Sequence, residues 1–454
     1  MHKMEARRKN TRSKELVEKS DKVYAPSGQI RYFDLCLASA QGAHLQDLDG
    51  NDYIDLLSTA SAMNVGHSHP KVVAAMKEQM DKLLHYTPAY FYNPKIEELS
   101  QRLIDSTPGD FPKKVLFGNS GSDANDAVMK FCRAYTGRKT MLAFVGAYHG
   151  STYGSLTMSA VSLNMRRKMT PLVPGVEYLP FPNSYDRREN ESEHDLVLRY
   201  WSYFEYALDN YLPADEIAGI LIEPIQGDGG FLKVPQEYMD RLYQFTRDHG
   251  IVFAVDEVNQ GLGRSGKMWS IDHFSIAPDL LSTAKSLASS MPLSALVGRQ
   301  EIMDSLEAPA HLFTTSGNPV CCAAALASLD VLEEEGLVEK SRRDGQYVKA
   351  RFEEMQKKYP IIGDVRIYGL NGGVELVKDP KSKEPDTDSA SKLITYLFQH
   401  GVLMITVRGN ILRFQPPLVI SQEDLDTALD TIDQGLAELA KGNLSLADEK
   451  KIGW

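Results

Sequence analysis

The stretch of sequence that decides the fold runs from residue 219 to residue 256 and reads GILIEPIQGDGGFLKVPQEYMDRLYQFTRDHGIVFAVD. It begins and ends with apolar runs, residues 219–222 and 251–255, which are typical of strands buried on both faces of a sheet. Between them, residues 237–249 have the apolar spacing of a helix, and Gly250 follows at a position that favours a left-handed C-cap. A strand, a helix and a second strand in this order predict an α/β domain with a largely parallel sheet.

The same alternation continues towards the N-terminus. Residues 115–117 read as a buried strand, and residues 123–135 read as the helix that follows it. Earlier still, residues 42–55 alternate apolar and polar side chains around an Asp-Gly turn, which predicts a β-hairpin. Helical spacing then begins near Pro70, so a hairpin segment precedes the α/β part of the chain.

The composition changes after residue 335. A long charged helix over about 338–358 is followed by short apolar strands near residues 365–367, 373–376 and 412–414, which indicates a smaller α+β domain. The fold class that we predict is α/β, with a large, mainly parallel domain and a small C-terminal α+β domain. We predict three parts, namely a hairpin segment, the large domain and the small domain, over residues 1–69, 70–335 and 336–454.

The composition of the 454 residues is that of a soluble globular protein. Hydrophobic residues make up 43%, which excludes disorder of the whole chain, and the net charge of −11 disfavours nucleic acid and anionic membranes as partners. The four cysteines have neither metal-ligand nor disulfide spacing, and the adjacent Cys321 and Cys322 are expected to fill a helix interior. With no apolar signal-peptide core and no run of 18 apolar residues, we expect a cytoplasmic protein without a membrane span or a bound metal.

Three chemically distinctive segments follow predicted strands, at the edge where parallel sheets bind their ligands. Gly121 and Ser122 open a helix with small residues and free N–H groups, which predicts a phosphate cradle; a plain N-cap by Ser120 or Ser122 is an equal alternative. Asp256 ends the second strand of the opening stretch, where it either caps the chain or faces a ligand. Lys285 ends another apolar run, and taken alone it is more simply a solvated lysine.

Together, the cradle, Asp256 and Lys285 predict a site for pyridoxal 5′-phosphate. The lysine forms a Schiff base with the cofactor. The aspartate pairs with the pyridinium nitrogen and keeps it protonated, so that the ring can accept electrons. The helix start holds the phosphate through local N–H groups, so the negative charge of the whole chain is no obstacle.

Six motifs resemble the class III aminotransferases, which have fold type I of the pyridoxal-phosphate enzymes, and the resemblance covers nearly the whole chain. These motifs are NSGSDAN (119–125), YHGS (148–151), EPIQG (223–227), DEV (256–258), Lys285 and TTSGNP (314–319). Within the family, the chain is similar to racemases of branched-chain amino acids. The stretches that carry this closer similarity include SAMNVGHSHP (61–70), HYTPAYF (85–91), DEVNQGLGRSGKMW (256–269) and KIGW (451–454).

The resemblance implies roles for individual residues around the cofactor. Gly121 and Ser122 would bind its phosphate. Tyr148 would stack on one face of the pyridine ring, and Val258 would pack on the other. Asn259 would lie near the ring hydroxyl, at a position where the wider family commonly has glutamine.

The resemblance also implies residues that act on the substrate and between subunits. Thr314 would reach the phosphate of a neighbouring subunit, which implies a homodimer at minimum, or a homotetramer. Asp228 stands where the wider family has a glutamate that pairs with an arginine, here Arg413. The shorter aspartate is either an acid–base group near the substrate Cα or only a salt-bridge partner of Arg413. Tyr86 and Tyr90 either line an apolar substrate pocket or serve in packing.

The function that this resemblance implies is isomerisation of a small-molecule substrate. A racemase of this kind interconverts the L and D configurations of branched or apolar amino acids at C2, so that L-isoleucine gives D-allo-isoleucine. Lys285 would serve one face of Cα and Asp228 the other in a two-base mechanism. Two alternatives stay open: a class III aminotransferase that passes the amino group to a keto acid, and a non-catalytic regulatory module that binds pyridoxal phosphate.

Overall fold

The computed structural model describes residues 10–446, which divide into two compact units. The first unit comprises residues 70–339, and the second comprises the described residues up to 69 together with those from 340 onward. The resembling stretch KIGW (451–454) lies outside the described residues. The two ends of the chain thus share one unit, which local sequence patterns did not predict, and the division into three domains remains a proposal.

The secondary structure alternates strands and helices along most of the chain. The strands are β1 (Leu37–Gln41), β2 (His44–Asp47), β3 (Asp52–Asp55), β4 (Lys113–Gly118), β5 (Thr140–Phe144), β6 (Val176–Leu179), β7 (Ile217–Ile222), β8 (Val252–Asp256), β9 (Leu280–Thr283), β10 (Ser294–Arg299), β11 (Ile362–Ile367), β12 (Gly372–Leu376), β13 (Val402–Leu403), β14 (Ile405–Val407) and β15 (Ile411–Phe414). The helices are α1 (Thr11–Ser20), α2 (Ser58–Ser61), α3 (Pro70–Lys82), α4 (Pro94–Ser106), α5 (Gly121–Thr136), α6 (Tyr153–Met158), α7 (Leu163–Arg166), α8 (Glu193–Asn210), α9 (Gln236–His249), α10 (Gln300–Met303), α11 (Pro319–Glu334), α12 (Leu337–Lys358), α13 (Thr387–Gln399) and α14 (Gln422–Ala440).

The first unit is built on a seven-stranded sheet with the order β4-β10-β9-β8-β7-β5-β6. Neighbouring strands from β9 to β6 are parallel, and only β10 runs antiparallel to its two neighbours. Every residue of β7 and β8 is buried, as expected for continuous apolar runs in a parallel sheet. The predicted α/β class with a mainly parallel sheet is therefore confirmed.

Helix α5 is fixed to this sheet by a shared apolar core. Its buried residues Val128, Phe131 and Cys132 belong to one cluster with Leu221 of β7 and Leu280 of β9. The helix ends at Gly137, which has φ +68° and supplies the left-handed C-cap. Because the helix is anchored along its length, its first turn is held rigidly beside the carboxyl ends of the neighbouring strands.

The second unit contains two four-stranded sheets, with the orders β1-β2-β3-β13 and β11-β12-β15-β14. The predicted hairpin is present, since β2 and β3 pair antiparallel around Gly50, which has φ +85°. Strand β13 then pairs parallel to β3, with Val402 opposite Ile54. This pairing joins the N-terminal segment to the C-terminal part of the chain.

Two smaller expectations concern cysteines and membranes. Cys321 and Cys322 lie in α11, are 5% and 0% exposed and are not disulfide-bonded, so the predicted packing role is confirmed. Among residues 10–446, no helix is long and apolar enough to cross a membrane. The same residues contain no cluster of three or more His, Cys, Asp or Glu side chains that could hold a metal ion.

Candidate active site

A cavity of about 200 Å³ lies in the first unit, where segments that follow β4, β5, β7, β8 and β9 meet. Eight residues predicted from the sequence line it: Gly121, Ser122, Tyr148, Asp228, Asp256, Val258, Asn259 and Lys285. The other lining residues are Ser120, Asn125, His149, Gly150 and Glu223. Residues spread over more than 160 positions of sequence therefore converge because parallel strands bring their carboxyl ends to the same edge of the sheet.

The first turn of α5 forms one wall of the cavity. Ser120 is the N-cap, and its Oγ accepts a hydrogen bond from the backbone N of Asp123 at 3.4 Å. Gly121 approaches its neighbours so closely that a Cβ there would lie 2.8 Å from Cγ1 of Val258. The plain capping role thus belongs to Ser120, while Gly121 and Ser122 both line the cavity at the positive end of a sixteen-residue helix.

Gly150 closes the cradle from the segment that follows β5. Its φ is +140°, a conformation that residues with a Cβ rarely adopt. A Cβ at this position would lie 2.4 Å from Ser122 Oγ and 2.5 Å from Ser155 Oγ. The absence of a side chain here lets the backbone of the segment after β5 approach the start of α5.

We expect Gly150→Ala to lower the free energy of unfolding by roughly 3 kcal/mol, because the new Cβ combines backbone strain with steric overlap. Cofactor affinity should fall with it, since Ser122 must move. The matched control is Gly137→Ala, where φ is also positive but nothing lies within 4 Å of the added Cβ; its cost should be about 1 kcal/mol. Thermal unfolding and pyridoxal phosphate titration of both variants check this, and equal losses would contradict the packing argument.

Asp256 lies at the end of β8 and is held by donors from three segments. Its Oδ2 accepts from Asn125 Nδ2 at 2.8 Å and lies 2.7 Å from Nδ1 of His149, while its Oδ1 accepts from the backbone N of Val258 at 2.9 Å. Asn125 is oriented in turn by Ser282 Oγ, which donates to its Oδ1 at 2.7 Å. With 3% exposure, Asp256 presents a carboxylate in one fixed orientation to the cavity.

His149 adds a polar atom that the described protein residues leave unsatisfied. Its ring is fully buried, and Nε2 has no hydrogen-bond partner in the described part of the chain. Since buried polar atoms are normally paired, this nitrogen marks a place where a bound molecule or a water belongs. His149 lies within the YHGS motif, but its place in the sequence predicts no role for it.

Lys285 follows β9 and reaches the cavity from a strained backbone. Its φ is +47°, at the start of a short helical turn that follows Ala284. A non-glycine residue in this region costs about 1–3 kcal/mol and persists only where the surroundings enforce it, often at functional sites. The half-buried lysine therefore lines the same cavity as Asp256 from a constrained backbone.

Three carboxyl groups share the cavity: Glu223, Asp228 and Asp256. Burial, followed by the charge of Asp256, raises the pKa of Glu223 well above its ordinary range. Asp228 is less deeply buried than the other two. The cavity thus offers a lysine and acids in different environments, the combination that proton transfer needs.

These residues fit pyridoxal 5′-phosphate. The start of α5 approaches Val258 and the segment after β5 this closely only because Gly121 and Gly150 lack a Cβ, and the N–H groups of its first turn suit a phosphate. The fixed carboxylate of Asp256 suits a protonated ring nitrogen, and Lys285 offers an amine in the same cavity. The donor set is therefore that of an anion site with an acid and an amine beside it.

Four predicted residues do not line this cavity. Thr314 is exposed and belongs to the first unit. Tyr86 and Tyr90 are 55% and 74% exposed, on the segment between α3 and α4. Arg413 lies on β15 in the second unit and is 3% exposed. Their roles towards a neighbouring subunit and the substrate, including the pairing of Arg413 with Asp228, stay predictions.

Comparisons with known proteins agree with this site. Residues 24–436 match the family described as Aminotransferase class-III. The chain is 58% identical to the Isoleucine 2-epimerase of Lentilactobacillus buchneri, over 98% of this chain and 99% of that protein. It is 38% identical to the Leucine/methionine racemase of Thermococcus litoralis, over 98% and 100% of the two chains. An amine transaminase from an uncultivated Pseudomonas species, solved in its PLP-bound form, superposes with a TM-score of 0.84 at 28% identity, covering 92% of this chain and 97% of that one.

Proposed function

The chain belongs to the class III aminotransferase family, and from its similarity to an isoleucine 2-epimerase we propose that it inverts C2 of branched or apolar amino acids, converting L-isoleucine to D-allo-isoleucine. It is a pyridoxal-phosphate-dependent isomerase of the amino-acid racemase and epimerase type. Its similarity to one epimerase and two racemases supports this, and the sequence motifs predicted it. The resemblance and the cofactor prediction are both confirmed. The geometric observation that carries the proposal is that Lys285 and Asp228 line one cavity.

We assign places for the cofactor from the residues that line the cavity. Bound pyridoxal phosphate supplies an electron sink that stabilises negative charge at the substrate Cα. Gly121 and Ser122 would hold its phosphate at the start of α5, and Asp256 would pair with the ring nitrogen. Tyr148 and Val258 would enclose the two faces of the ring. These assignments agree with the cavity lining and with the buried, hydrogen-bonded state of Asp256.

Inversion requires that a proton leaves one face of Cα and another arrives on the opposite face. We assign one face to Lys285, which exchanges a proton through its amino group, and the other to Asp228, which does so through its carboxyl group. A carboxylate one methylene shorter than the glutamate of the wider family leaves more room for a β-branched side chain. If Asp228 served only as a salt-bridge partner of Arg413, inversion would have to use another titratable group of the cavity at the second face.

The alternative function, a class III aminotransferase, predicts different products and a different need for a keto acid. A transaminase consumes one keto acid for each amino group that it removes, whereas an epimerase returns the proton to Cα and needs no acceptor. The racemase relatives favour the second outcome. A non-catalytic regulatory module would not need a strained lysine and a second carboxyl group in the same cavity.

Incubation of the cofactor-loaded enzyme with L-isoleucine alone, followed by chiral chromatography, tests the proposal. We expect D-allo-isoleucine to accumulate without any keto acid until the two isomers reach comparable amounts, and D-allo-isoleucine to give L-isoleucine in the reverse reaction. Parallel incubations with valine, leucine and methionine rank the substrates. Formation of a keto acid only in the presence of an added acceptor, with no D isomer, would instead establish a transaminase.

We further propose a homodimer at minimum, or a homotetramer, because Thr314 would serve the neighbouring subunit. A cytoplasmic location is proposed on chemical grounds. The four cysteines are all free, and three of them are buried, which suits a reducing compartment.

A further inference from the structure

Glu223 is a buried carboxyl group that the proposed reaction does not use. It follows β7 directly and is 4% exposed, yet it lines the same cavity as Asp228 and Lys285. A carboxyl group is costly to bury unless it is hydrogen-bonded or uncharged. Its position in the wall of the cavity therefore indicates a functional role.

The two oxygens of Glu223 accept hydrogen bonds from two different segments. Oε1 accepts from the backbone N of Gly227 at 3.1 Å, and Oε2 accepts from the backbone N of Tyr148 at 3.4 Å. Gly227 directly precedes Asp228. Glu223 thus connects the backbone of Tyr148, which we assign to one face of the cofactor ring, with the backbone of Gly227, the neighbour of Asp228.

The segment that carries Asp228 is also tightly enclosed. Gln226 Nε2 donates to the carbonyl oxygen of Val145 at 3.0 Å, which attaches the same segment to the end of β5 a second time. A Cβ at Gly227 would lie 3.2 Å from side-chain atoms of Asn259 and Gln260. Small movements of Glu223 are therefore transmitted to Asp228 rather than absorbed by empty space.

The charge state of Glu223 follows from its neighbours. Burial is the largest influence, and the carboxylates of Asp256 and Asp228 act in the same direction, so its pKa lies well above the ordinary range although two N–H donors oppose the shift. The other titratable side chains of the cavity are Lys285, Tyr148 and His149. Both oxygens of Glu223 face backbone N–H donors, so this side chain acts through its shape and its hydrogen bonds.

We propose that Glu223 is a positioning residue of the epimerisation: its two carboxyl oxygens fix the 227–228 segment against the backbone of Tyr148, so that Asp228 reaches its face of Cα. This inference rests on the proposed function. It predicts that damage to Glu223 impairs the Asp228 face of the reaction and leaves the Lys285 face intact.

The test compares exchange with inversion in deuterated water. We expect Glu223→Ala and Glu223→Asp to lower the rate of inversion about 100-fold at little change in KM, while the substrate Cα still exchanges its proton for deuterium through the Lys285 face. Glu223→Gln keeps the length but offers one acceptor oxygen to two backbone N–H donors, so it should lose inversion about 10-fold, less than Glu223→Ala, with an unchanged pH profile. The matched control is Glu257→Asp, because Glu257 is also a buried glutamate at a strand end but does not line the cavity; its ratio of exchange to inversion should equal that of the wild type.

Separate measurements distinguish a positioning role from general damage. Cofactor affinity and the thermal midpoint of the apoprotein should be similar for Glu223→Asp and Glu257→Asp. Equal losses of exchange and inversion in Glu223→Asp, a parallel loss of cofactor affinity, or a Glu223→Gln enzyme as inactive as Glu223→Ala would each overturn the inference. A wild-type enzyme that forms no D isomer would instead refute the proposed function itself.

Discussion

Replacement of Lys285 with alanine is expected to abolish epimerisation, with a fall in kcat of about 10⁴-fold or more, and to remove the visible absorbance of the lysine-linked cofactor. Two functions are lost together, because the same amine binds the cofactor covalently and carries the proton on one face of Cα. No other lysine lines the cavity among residues 10–446. Chiral chromatography of L-isoleucine incubations and an absorbance spectrum measure the two effects.

The control for this variant is Lys267→Ala, an exposed lysine on the segment that also carries Asn259 and Gly263. It should keep both the absorbance and the activity. Borohydride reduction of the wild-type holoenzyme, followed by peptide mass spectrometry, should find the cofactor on the peptide that contains Lys285. A reduced adduct on a different lysine would disprove the assignment.

Replacement of Asp228 with asparagine should block inversion in at least one direction while the cofactor stays bound. General acid–base catalysis contributes about 10²–10⁴-fold, and we expect a loss of that size in kcat for inversion. The amide keeps the shape of the side chain but cannot exchange a proton. Exchange of the substrate Cα proton with deuterated water should continue, because Lys285 serves the other face.

The companion variant is Asp228→Glu, which restores the residue of the wider family. It keeps a carboxylate but extends it by one methylene, so β-branched isoleucine should suffer more than leucine or methionine. An Asp228→Asn enzyme that still interconverts both isomers at the wild-type rate would end the two-base proposal. It would leave the salt bridge with Arg413 as the remaining interpretation of Asp228.

The sequence predicted the fold wherever local patterns determine it. The apolar runs at 219–222 and 251–255 became β7 and β8, and the Asp-Gly turn near residue 50 became the hairpin of β2 and β3. The antiparallel direction of β10 and the joining of the two chain ends by β13 were not predicted. Strand direction and distant pairing depend on contacts between segments far apart in sequence, which no local periodicity records.

In the candidate site, too, some residues are predictable from local sequence and others are not. Asp256 and Lys285 are predictable because each follows an apolar strand. The contacts of Asn125 and His149 with Asp256 span 131 and 107 positions of sequence, and no local sequence pattern predicts contacts over such distances. The position of Glu223 in the sequence does predict a place in the site. Glu223 follows the apolar run of β7 as Asp256 follows that of β8, so the same sequence pattern, an acid directly after a buried apolar run, marks both residues.

The parallel pairing of Val402 with Ile54 has a consequence for biosynthesis. A ribosome that adds about 5–20 residues per second makes β3 tens of seconds before β13 leaves the exit tunnel. Residues 70–339 are synthesised before β13 and can assemble on their own contacts, whereas one edge of β3 stays unpaired until β13 emerges. Emergence of β13, rather than of the cofactor-binding segments, is therefore the step that covers this edge of β3.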